Sequence, residues 1–288
     1  MGTLYTIEDD RLRVAVSDEG AELQSVVLKN SGEPLLWNGD PAVWRGRAPW
    51  LFPIVGRLKD DCYLHDGRKY FMGMHGFARK STFAAESHTE RAVRFVLSDT
   101  PETRSVFPWR FELRVACELT GGQLQITCAV RNTDKTAIYF SLGAHPGLLC
   151  EAGDELRFEG MDALTFRRLT ADSHLLQRES EVMPLENHAL TLRASLFERG
   201  AMILEKPACA AITLKRAHGP SVRLRYDPVP WLGIWTKPVD GGIRYVCLEP
   251  WLGVDDPVDA TGAIERKEAV QSLEPGGELL FHLAIEPV

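Results

Sequence analysis

Apolar and polar residues alternate along several short stretches of the chain, which is the period of a β-strand with one buried face. The clearest case is residues 111–119, which the Gly121-Gly122 pair separates from a similar run over residues 123–131. A Gly-Gly pair between two alternating runs is typical of a tight hairpin. The Asn-Thr-Asp stretch at 132–134 then supplies turn-forming side chains. We therefore predict a β-hairpin here.

Similar runs recur along the chain, and clusters of Gly, Pro, Asn and Asp separate them. They cover residues 11–16, 93–97, 212–214, 222–226 and 279–283. Many short strands with few helical stretches indicate an all-β sandwich or barrel. One short helix, of under two turns, is predicted over residues 265–272. Because no repeat of fixed period and no low-complexity linker divides the sequence, we predict a single domain over residues 1–288.

Composition and charge narrow the classes of function. The chain has 288 residues, is 44% hydrophobic and carries a formal net charge of −7. An acidic balance disfavours nucleic-acid binding and attachment to an anionic membrane surface. No apolar run reaches the roughly 20 residues that span a bilayer, and the N-terminal residues do not have the layout of a secretory signal. We expect a cytoplasmic protein with no nucleic-acid or membrane partner.

Six cysteines lie mostly inside apolar runs, at positions 62, 117, 128, 150, 209 and 247. An even number would suit disulfides, but the chain is long and has no secretory signal. Buried free thiols are therefore the favoured interpretation. Because no CxxC pair occurs, we do not expect a zinc site built on thiolates.

Four parts of the sequence depart from the alternation and place ionisable groups among Gly, Pro and large apolar residues. They are residues 48–57, 73–79, 141–147 and the neighbouring stretches 235–238 and 247–251. Burying an ionisable group is costly unless the group is paired or used. These segments are therefore the candidates for a functional site.

Among their ionisable residues, Arg57, His75, His145 and Glu249 stand out, and Trp235 accompanies them. Each one alone has a structural explanation, such as a core histidine with satisfied hydrogen bonds or a glutamate in a buried salt bridge. The set favours a sugar site. Aromatic faces cover the apolar side of a pyranose, polar groups bind its hydroxyls, and a carboxylate with an imidazole can act as base and acid.

Other chemistries fit these residues less well. His75, His145 and Glu249 could form a metal-binding set in principle, but no HExxH or other metal-ligand spacing supports it, and we predict no metal site. The sequence has no GxSxG turn, no GxGxxG motif and no Walker loop. A glycosidase normally uses two carboxylates, whereas only Glu249 stands out here.

The motifs, taken in order, resemble the aldose 1-epimerase superfamily, and within it the LacX-like subgroup. They run from LWNG at 36–39 through PWLFPIVGRL, MHGFAR and GAHPG to GIWTKP and VCLEPW. The resemblance implies a large twisted antiparallel β-sandwich, the galactose mutarotase-like supersandwich. It implies interconversion of the α and β anomers of an aldose, with a small sugar or sugar phosphate as partner and no cofactor. We expect a monomer or a homodimer.

The resemblance also implies a role for each site residue. Glu249 would take the proton from the anomeric hydroxyl, and His145 would protonate the ring oxygen. The ring then opens, the C1–C2 bond rotates, and reclosure on either face gives either anomer. His75 would hold substrate oxygens, and Arg57 would bind a hydroxyl or, in some members, a phosphate.

Two other functions stay open. A hexose-6-phosphate mutarotase needs a basic pocket, which Arg57, Arg79 and Lys237 could supply. A carbohydrate-binding protein without turnover would use the same pocket, but such a binder needs no acid–base pair. Glu249 and His145 together therefore favour the enzyme.

We predict that Trp235 and Lys237 contribute to sugar binding. The sugar-binding aspartate that many family members carry has no clear match in this sequence. Asp227 and the stretch 186–188 lie in the corresponding interval.

Overall fold

The computed structural model describes residues 2–288, and β-strands dominate it. The chain is 49% strand and 7% helix, and its sheets are antiparallel. The predicted all-β class and the low helix content are confirmed. The strands of the first half are β1 (Leu4–Glu8), β2 (Leu12–Ser17), β3 (Leu23–Leu28), β4 (Trp50–Leu51), β5 (Cys62–His65), β6 (Arg68–Phe71), β7 (Ala84–His88), β8 (Ala92–Ser98), β9 (Phe111–Thr120), β10 (Gln123–Asn132), β11 (Ile138–Phe140) and β12 (Leu142–Ala144).

The strands of the second half complete the sheets. They are β13 (Gly147–Leu149), β14 (Glu155–Phe158), β15 (Ala163–Leu169), β16 (Leu176–Pro184), β17 (Ala189–Thr191), β18 (Met202–Glu205), β19 (Ala211–Lys215), β20 (Val222–Tyr226), β21 (Trp231–Trp235), β22 (Tyr245–Leu252), β23 (Gln271–Leu273) and β24 (Glu278–Pro287). Each alternating run named above lies in one of these strands, so those strand predictions are confirmed.

Helical structure is short. The α-helix α1 covers Pro101–Val106, with Pro at its first turn and a capping box between Thr100 and Thr103. Four 3₁₀ turns cover Lys59–Asp61, Ala78–Lys80, Ala194–Phe197 and Ile264–Arg266. The helix predicted over 265–272 was wrong. Only one 3₁₀ turn begins there, since Lys267 turns inward and β23 starts at Gln271.

The predicted hairpin forms with the expected register. Gln123 of β10 pairs with Thr120 of β9, so Gly121 and Gly122 make the two-residue turn. Both glycines have φ above +60°, a backbone region that glycine occupies without steric cost. The Gly-Gly signal in the sequence therefore had a direct structural cause.

Two large antiparallel sheets contain most of the strands. One has nine strands in the order β17-β14-β19-β20-β24-β10-β9-β8-β7. The other has the order β16-β15-β18-β21-β22-β12-β4, with β13 also paired to β22. The main apolar cluster draws on both sheets, with Val115 and Ile126 from the first and Leu232 and Leu248 from the second. The sheets thus enclose a common core, as in a β-sandwich.

Strand β22 has two buried faces that differ in chemistry. Val246 and Leu248 belong to the main core. Tyr245, Cys247 and Glu249 point to the opposite face and are also buried. A strand buried on both faces shows no apolar–polar alternation. For this reason the stretches 235–238 and 247–251 do not alternate in the sequence. The first begins at the last residue of β21, and the second lies within β22.

The prediction of buried free thiols is confirmed. All six cysteines are buried free thiols. Within residues 2–288, no helix has the length and apolar character needed to cross a membrane.

Asn132, at the end of β10, should be important for stability. It is fully buried. Its amide donates to the carbonyls of Thr136 and Leu273, and its Oδ1 accepts from the N–H of Asp134, each at 2.8 Å. We expect Asn132→Ala to lower the free energy of unfolding by about 2–4 kcal/mol, because buried backbone groups lose their partners.

Urea denaturation measures this change. The exposed Asn30 provides the control, since Asn30→Ala should stay within about 0.5 kcal/mol of wild type. Equal effects of the two substitutions would contradict the assigned hydrogen bonds.

Candidate functional site

Strand register brings a histidine and a glutamate into direct contact. β12 and β13 flank His145, and both pair with β22. Gly147 lies opposite Cys247. Counting two residues along each strand therefore places His145 opposite Glu249. Nε2 of His145 lies 3.1 Å from Oε2 of Glu249.

Burial shifts the protonation of both groups. His145 is 7% exposed and Glu249 only 2%. Burial lowers the pKa of His145 to about 3, because desolvation disfavours the imidazolium. Burial raises the pKa of Glu249 well above its usual value, and the nearby Asp255 adds to the rise. Both shifts favour the uncharged forms of the two side chains.

Aromatic rings surround His145 on two sides. Trp44 stacks on the imidazole, with ring centroids 5.0 Å apart and an interplanar angle of 27°. Trp235 meets it edge-on at 5.8 Å, and Tyr245 stacks behind Trp44 at 5.2 Å. A Cβ at Gly147 would lie 2.9 Å from the Trp44 ring, so a residue without a side chain lets this ring approach the strand.

His75 lies beside His145 and is held by the backbone of Gly56. The two imidazole centroids are 5.8 Å apart. The N–H of Gly56 donates to Nδ1 of His75 at 3.0 Å, and the N–H of His75 donates to the carbonyl of Gly56 at 2.8 Å. Because Nδ1 accepts, the neutral ring carries its proton on Nε2. His75 is therefore a hydrogen-bond donor through Nε2.

The backbone and charge state of His75 are both unusual. Its φ is 65°, a left-handed conformation that is rare outside glycine and often occurs at functional sites. Loss of hydration, together with the charges of His145 and Arg79, holds the pKa of His75 well below its usual value.

Asp255 connects the backbone of Arg57 to the strand that carries Glu249. Asp255 follows the end of β22 by three residues and is buried. Its Oδ1 accepts from the N–H of Arg57 at 2.7 Å. Its carboxyl group also packs directly over Gly56, where any Cβ would collide with it and where φ is +68°. Glycine is required here for both reasons.

The next residue, Asp256, forms a buried ion pair with Lys267. Nζ of Lys267 lies 2.6 Å from both Oδ1 of Asp256 and the carbonyl of Val254. The other carboxylate oxygen of Asp256 accepts from the N–H of Lys59, and the N–H of Asp256 donates to the carbonyl of Arg57. Neighbouring aspartates therefore hold both sides of the Arg57 peptide.

The other residues predicted for the site differ in their burial and in their contacts. The guanidinium of Arg57 is half-buried, with Nε 3.7 Å from Asp61. Trp235 is in the aromatic wall. Lys237 is exposed, and its backbone N–H donates to the hydroxyl of Tyr245 at 3.2 Å. His75, His145, Glu249 and Trp235 are thus brought together. Arg57 joins them through its backbone, which Asp255 holds, and Lys237 borders the group.

The two stretches considered for the family's aspartate lie elsewhere. Asp227 accepts hydrogen bonds from the backbone and ring of His282 on β24, in the nine-stranded sheet. His188, in the stretch 186–188, contacts the carbonyl of Met161 beside β14 and β17 of that sheet. Neither stretch belongs to the sheet that holds Glu249.

Sequence reasoning missed three residues of the site. Trp44 lies in a loop whose sequence shows no pattern. Cys247 was interpreted only as a buried thiol. Asp255 lies in a loop outside the motifs. A signal was available for Cys247. It stands two residues before Glu249, so in a strand both side chains point to one face.

Three side chains are arranged so that they could hold a metal ion. One ligand atom from each of His145, Cys247 and Glu249 lies within 4.8 Å of the others. The set considered from the sequence used His75 in place of Cys247.

Comparisons with known proteins agree with this fold. The family model of aldose 1-epimerase matches residues 3–180. Protein LacX of Lactococcus lactis subsp. lactis, in its chromosomal form, is 31% identical over 285 residues, which cover 93% of this chain and 94% of the relative. The chain therefore belongs to the aldose 1-epimerase family, and the LacX-like resemblance is confirmed.

Solved structures show the same fold. A galactose mutarotase related enzyme from Lactobacillus acidophilus superposes with a TM-score of 0.93 at 32% identity, covering 99% of this chain and 97% of the other. A galactose mutarotase-like protein from Lactobacillus casei gives a TM-score of 0.93 at 28% identity, covering 99% and 100%. The predicted galactose mutarotase-like sandwich is confirmed.

The buried pair of Lys267 and Asp256 should couple strongly. We expect Lys267→Met to lower the free energy of unfolding by about 3–5 kcal/mol, because it leaves a buried carboxylate without its counter-charge. Adding Asp256→Asn should recover most of that loss, since the amide oxygen can still accept from the N–H of Lys59. Urea denaturation of the two single variants and the double variant gives the coupling energy. Additive losses would show that the pair is not coupled.

Proposed function

We propose that this protein is an aldose 1-epimerase that interconverts the α and β anomers of a sugar by acid–base ring opening. The observation that carries the proposal is the buried contact of 3.1 Å between His145 and Glu249. Ring opening removes a proton from the anomeric hydroxyl and adds one to the ring oxygen. A carboxylate and an imidazole in contact are suited to exchange protons with two oxygens bonded to one carbon.

The surroundings of the pair support a polyhydroxylated ligand. Nε of Arg57 and Nδ1 of His145 are buried and have no hydrogen-bond partner within residues 2–288. Buried polar atoms are nearly always paired, and sugar hydroxyls could serve as their partners. Trp44 and Trp235 supply apolar ring surface beside the same imidazole. Donors, acceptors and aromatic faces together are what a pyranose requires.

The reaction then proceeds through the open-chain aldehyde. Proton transfer from Glu249 to His145 across their contact first gives a carboxylate and an imidazolium. The carboxylate then takes the proton from the hydroxyl on C1 while the imidazolium delivers its proton to the ring oxygen, and the C1–O5 bond breaks. Rotation about C1–C2 presents the other face of the aldehyde. The reverse proton transfers close the ring, so the pair regains its starting protonation after each turnover. His75, as a donor from Nε2, and Arg57 hold the hydroxyls.

A specific feature favours a phosphorylated sugar as a second candidate substrate. Nε of Arg57 and Nε of Arg79 are both buried without a hydrogen-bond partner in the described chain. Arg79 lies close enough to the two imidazoles for its charge to lower the pKa of His75 and of His145. The Arg79 guanidinium near the imidazoles suits a phosphate, which accepts several charge-assisted hydrogen bonds, and Arg57 could supply a second guanidinium.

Substitution of the base is the direct test of the mechanism. We expect Glu249→Gln to lower the rate of anomer exchange by about 10²–10⁴-fold while sugar binding changes little, because the amide keeps the shape but cannot accept the proton. His145→Asn should do comparable damage. The double variant should lose less than the product of the two, since both groups act in one ring opening. Polarimetry or anomer-resolved NMR with glucose and galactose measures the rates.

Two controls make this test decisive. Spontaneous mutarotation in buffer is subtracted from every rate. The exposed Glu118 on β9 offers a matched change, because Glu118→Gln makes the same chemical substitution on the other sheet and should leave the rate unaltered. Full activity in Glu249→Gln would refute the assignment of the base. A wild-type protein that binds sugars but accelerates none of them would favour the non-catalytic binding protein.

The choice between a free and a phosphorylated sugar has its own test. If glucose 6-phosphate is the better substrate, Arg79→Gln should raise its KM by about tenfold or more, the loss expected for a charge-assisted hydrogen bond, and change the KM for glucose much less. Arg57→Ala should weaken the binding of both sugars, and most strongly that of glucose 6-phosphate. Exposed Lys80, next in the chain, is the control, and Lys80→Ala should leave both KM values unchanged. Equal effects on both sugars would reject the phosphate role.

A further inference from the structure

The thiol of Cys247 has no part in the proposed reaction, yet it points to the same face as Glu249. Cys247 and Glu249 are two residues apart on β22, and strand geometry directs both side chains away from the main core. His145 faces them from the short break between β12 and β13, which follow one another along β22. Their ligand atoms lie within 4.8 Å of one another. Small side-chain adjustments would bring all three to the ligand distances of a tetrahedral ion.

We propose that His145, Cys247 and Glu249 form an inhibitory site for a thiophilic divalent cation such as Zn²⁺. The donor set decides the class of ion. A thiolate with an imidazole and a carboxylate suits Zn²⁺ and its neighbours in the transition series, whereas Mg²⁺ and Ca²⁺ require sets of oxygen ligands.

Binding of the cation displaces water molecules and protons. The cation gives up bound waters, and Cys247 and Glu249 release the thiol and carboxyl protons to solvent. Three protein ligands leave the fourth tetrahedral position to water, as in open zinc sites. Because the ion occupies the lone pairs that the acid and the base need, binding stops proton transfer.

The environment indicates exchangeable binding rather than a permanent structural metal. Ligating histidines usually donate their second ring N–H to a fixed partner. Nδ1 of His145 has no such partner within residues 2–288. His145 also keeps 7% of its surface exposed, so the triad borders solvent on the imidazole side. We therefore expect a chelator to restore the free site.

Co²⁺ provides a readout that does not depend on enzyme activity. Titration of the full chain with CoCl₂ should produce a thiolate-to-cobalt charge-transfer band in the near ultraviolet. ZnCl₂ should abolish the band, because Zn²⁺ binds such sites more tightly than Co²⁺, and EDTA should also remove it. In parallel, ZnCl₂ should inhibit anomer exchange, whereas MgCl₂ at the same concentration should not.

Cys247→Ala is the informative variant, and Cys128→Ala is its matched control. Both thiols are fully buried, but Cys128 lies on β10 of the nine-stranded sheet. Cys247→Ala should lose the cobalt band and raise the ZnCl₂ concentration for half-inhibition at least about tenfold, since even outer-shell changes cost about 10–100-fold in metal affinity. Cys128→Ala should keep both responses.

Three results would overturn the proposal: no cobalt band in wild type, a band that persists in Cys247→Ala, or a band lost equally in Cys128→Ala. If Cys247→Ala does not yield folded protein by circular dichroism, Cys247→Ser is measured instead, because a hydroxyl is a poor ligand for these ions. The cobalt band tests the metal site even if the protein proves to be a binder without turnover. Failure of the proposed enzyme function is thereby distinguishable from failure of the metal site.

Discussion

An imidazole and a carboxyl group meet where almost no water reaches them, and the rest of the site is organised around that contact. Separately, each group would pay a large desolvation cost in its charged form. Together, His145 and Glu249 can stay neutral or exchange the proton across 3.1 Å. Their separation depends on strand register, because a slip of one residue in β22 would turn Glu249 into the main core. The pairing of β12 and β13 with β22 therefore determines whether proton chemistry is available.

The backbone at Gly56 and Arg57 is the second organising element. It bonds to His75 on one side and to Asp255 and Asp256 on the other. Three segments remote in sequence thus meet at two consecutive peptides. Arg57 is held through its backbone and His75 through its backbone and Nδ1, so these contacts do not use the Arg57 guanidinium or Nε2 of His75. The buried pair of Lys267 and Asp256 holds this arrangement from the side opposite the imidazoles.

The same atoms that suit acid–base catalysis also suit a metal, and the difference lies in one neighbour. A histidine and a glutamate alone give two ligands, which is too few for a stable zinc site. Cys247 supplies the third because β22 is buried on both faces and can carry a thiol next to a carboxylate. The proposed acid–base chemistry needs only His145 and Glu249, whereas the proposed metal site also needs the thiol of Cys247.

The sequence by itself determined the all-β class, the hairpin at 111–131, the family, and the residues that meet around His145, because strand period, turn chemistry and ordered motifs are local signals. Only the tertiary structure decided the contact of His145 with Glu249, the roles of Trp44, Asp255 and Cys247, and the peripheral position of Lys237. These depend on register between strands distant in the chain. Local patterns also failed at 265–272, where burial of the Lys267 ammonium against Asp256 prevailed over helix propensity.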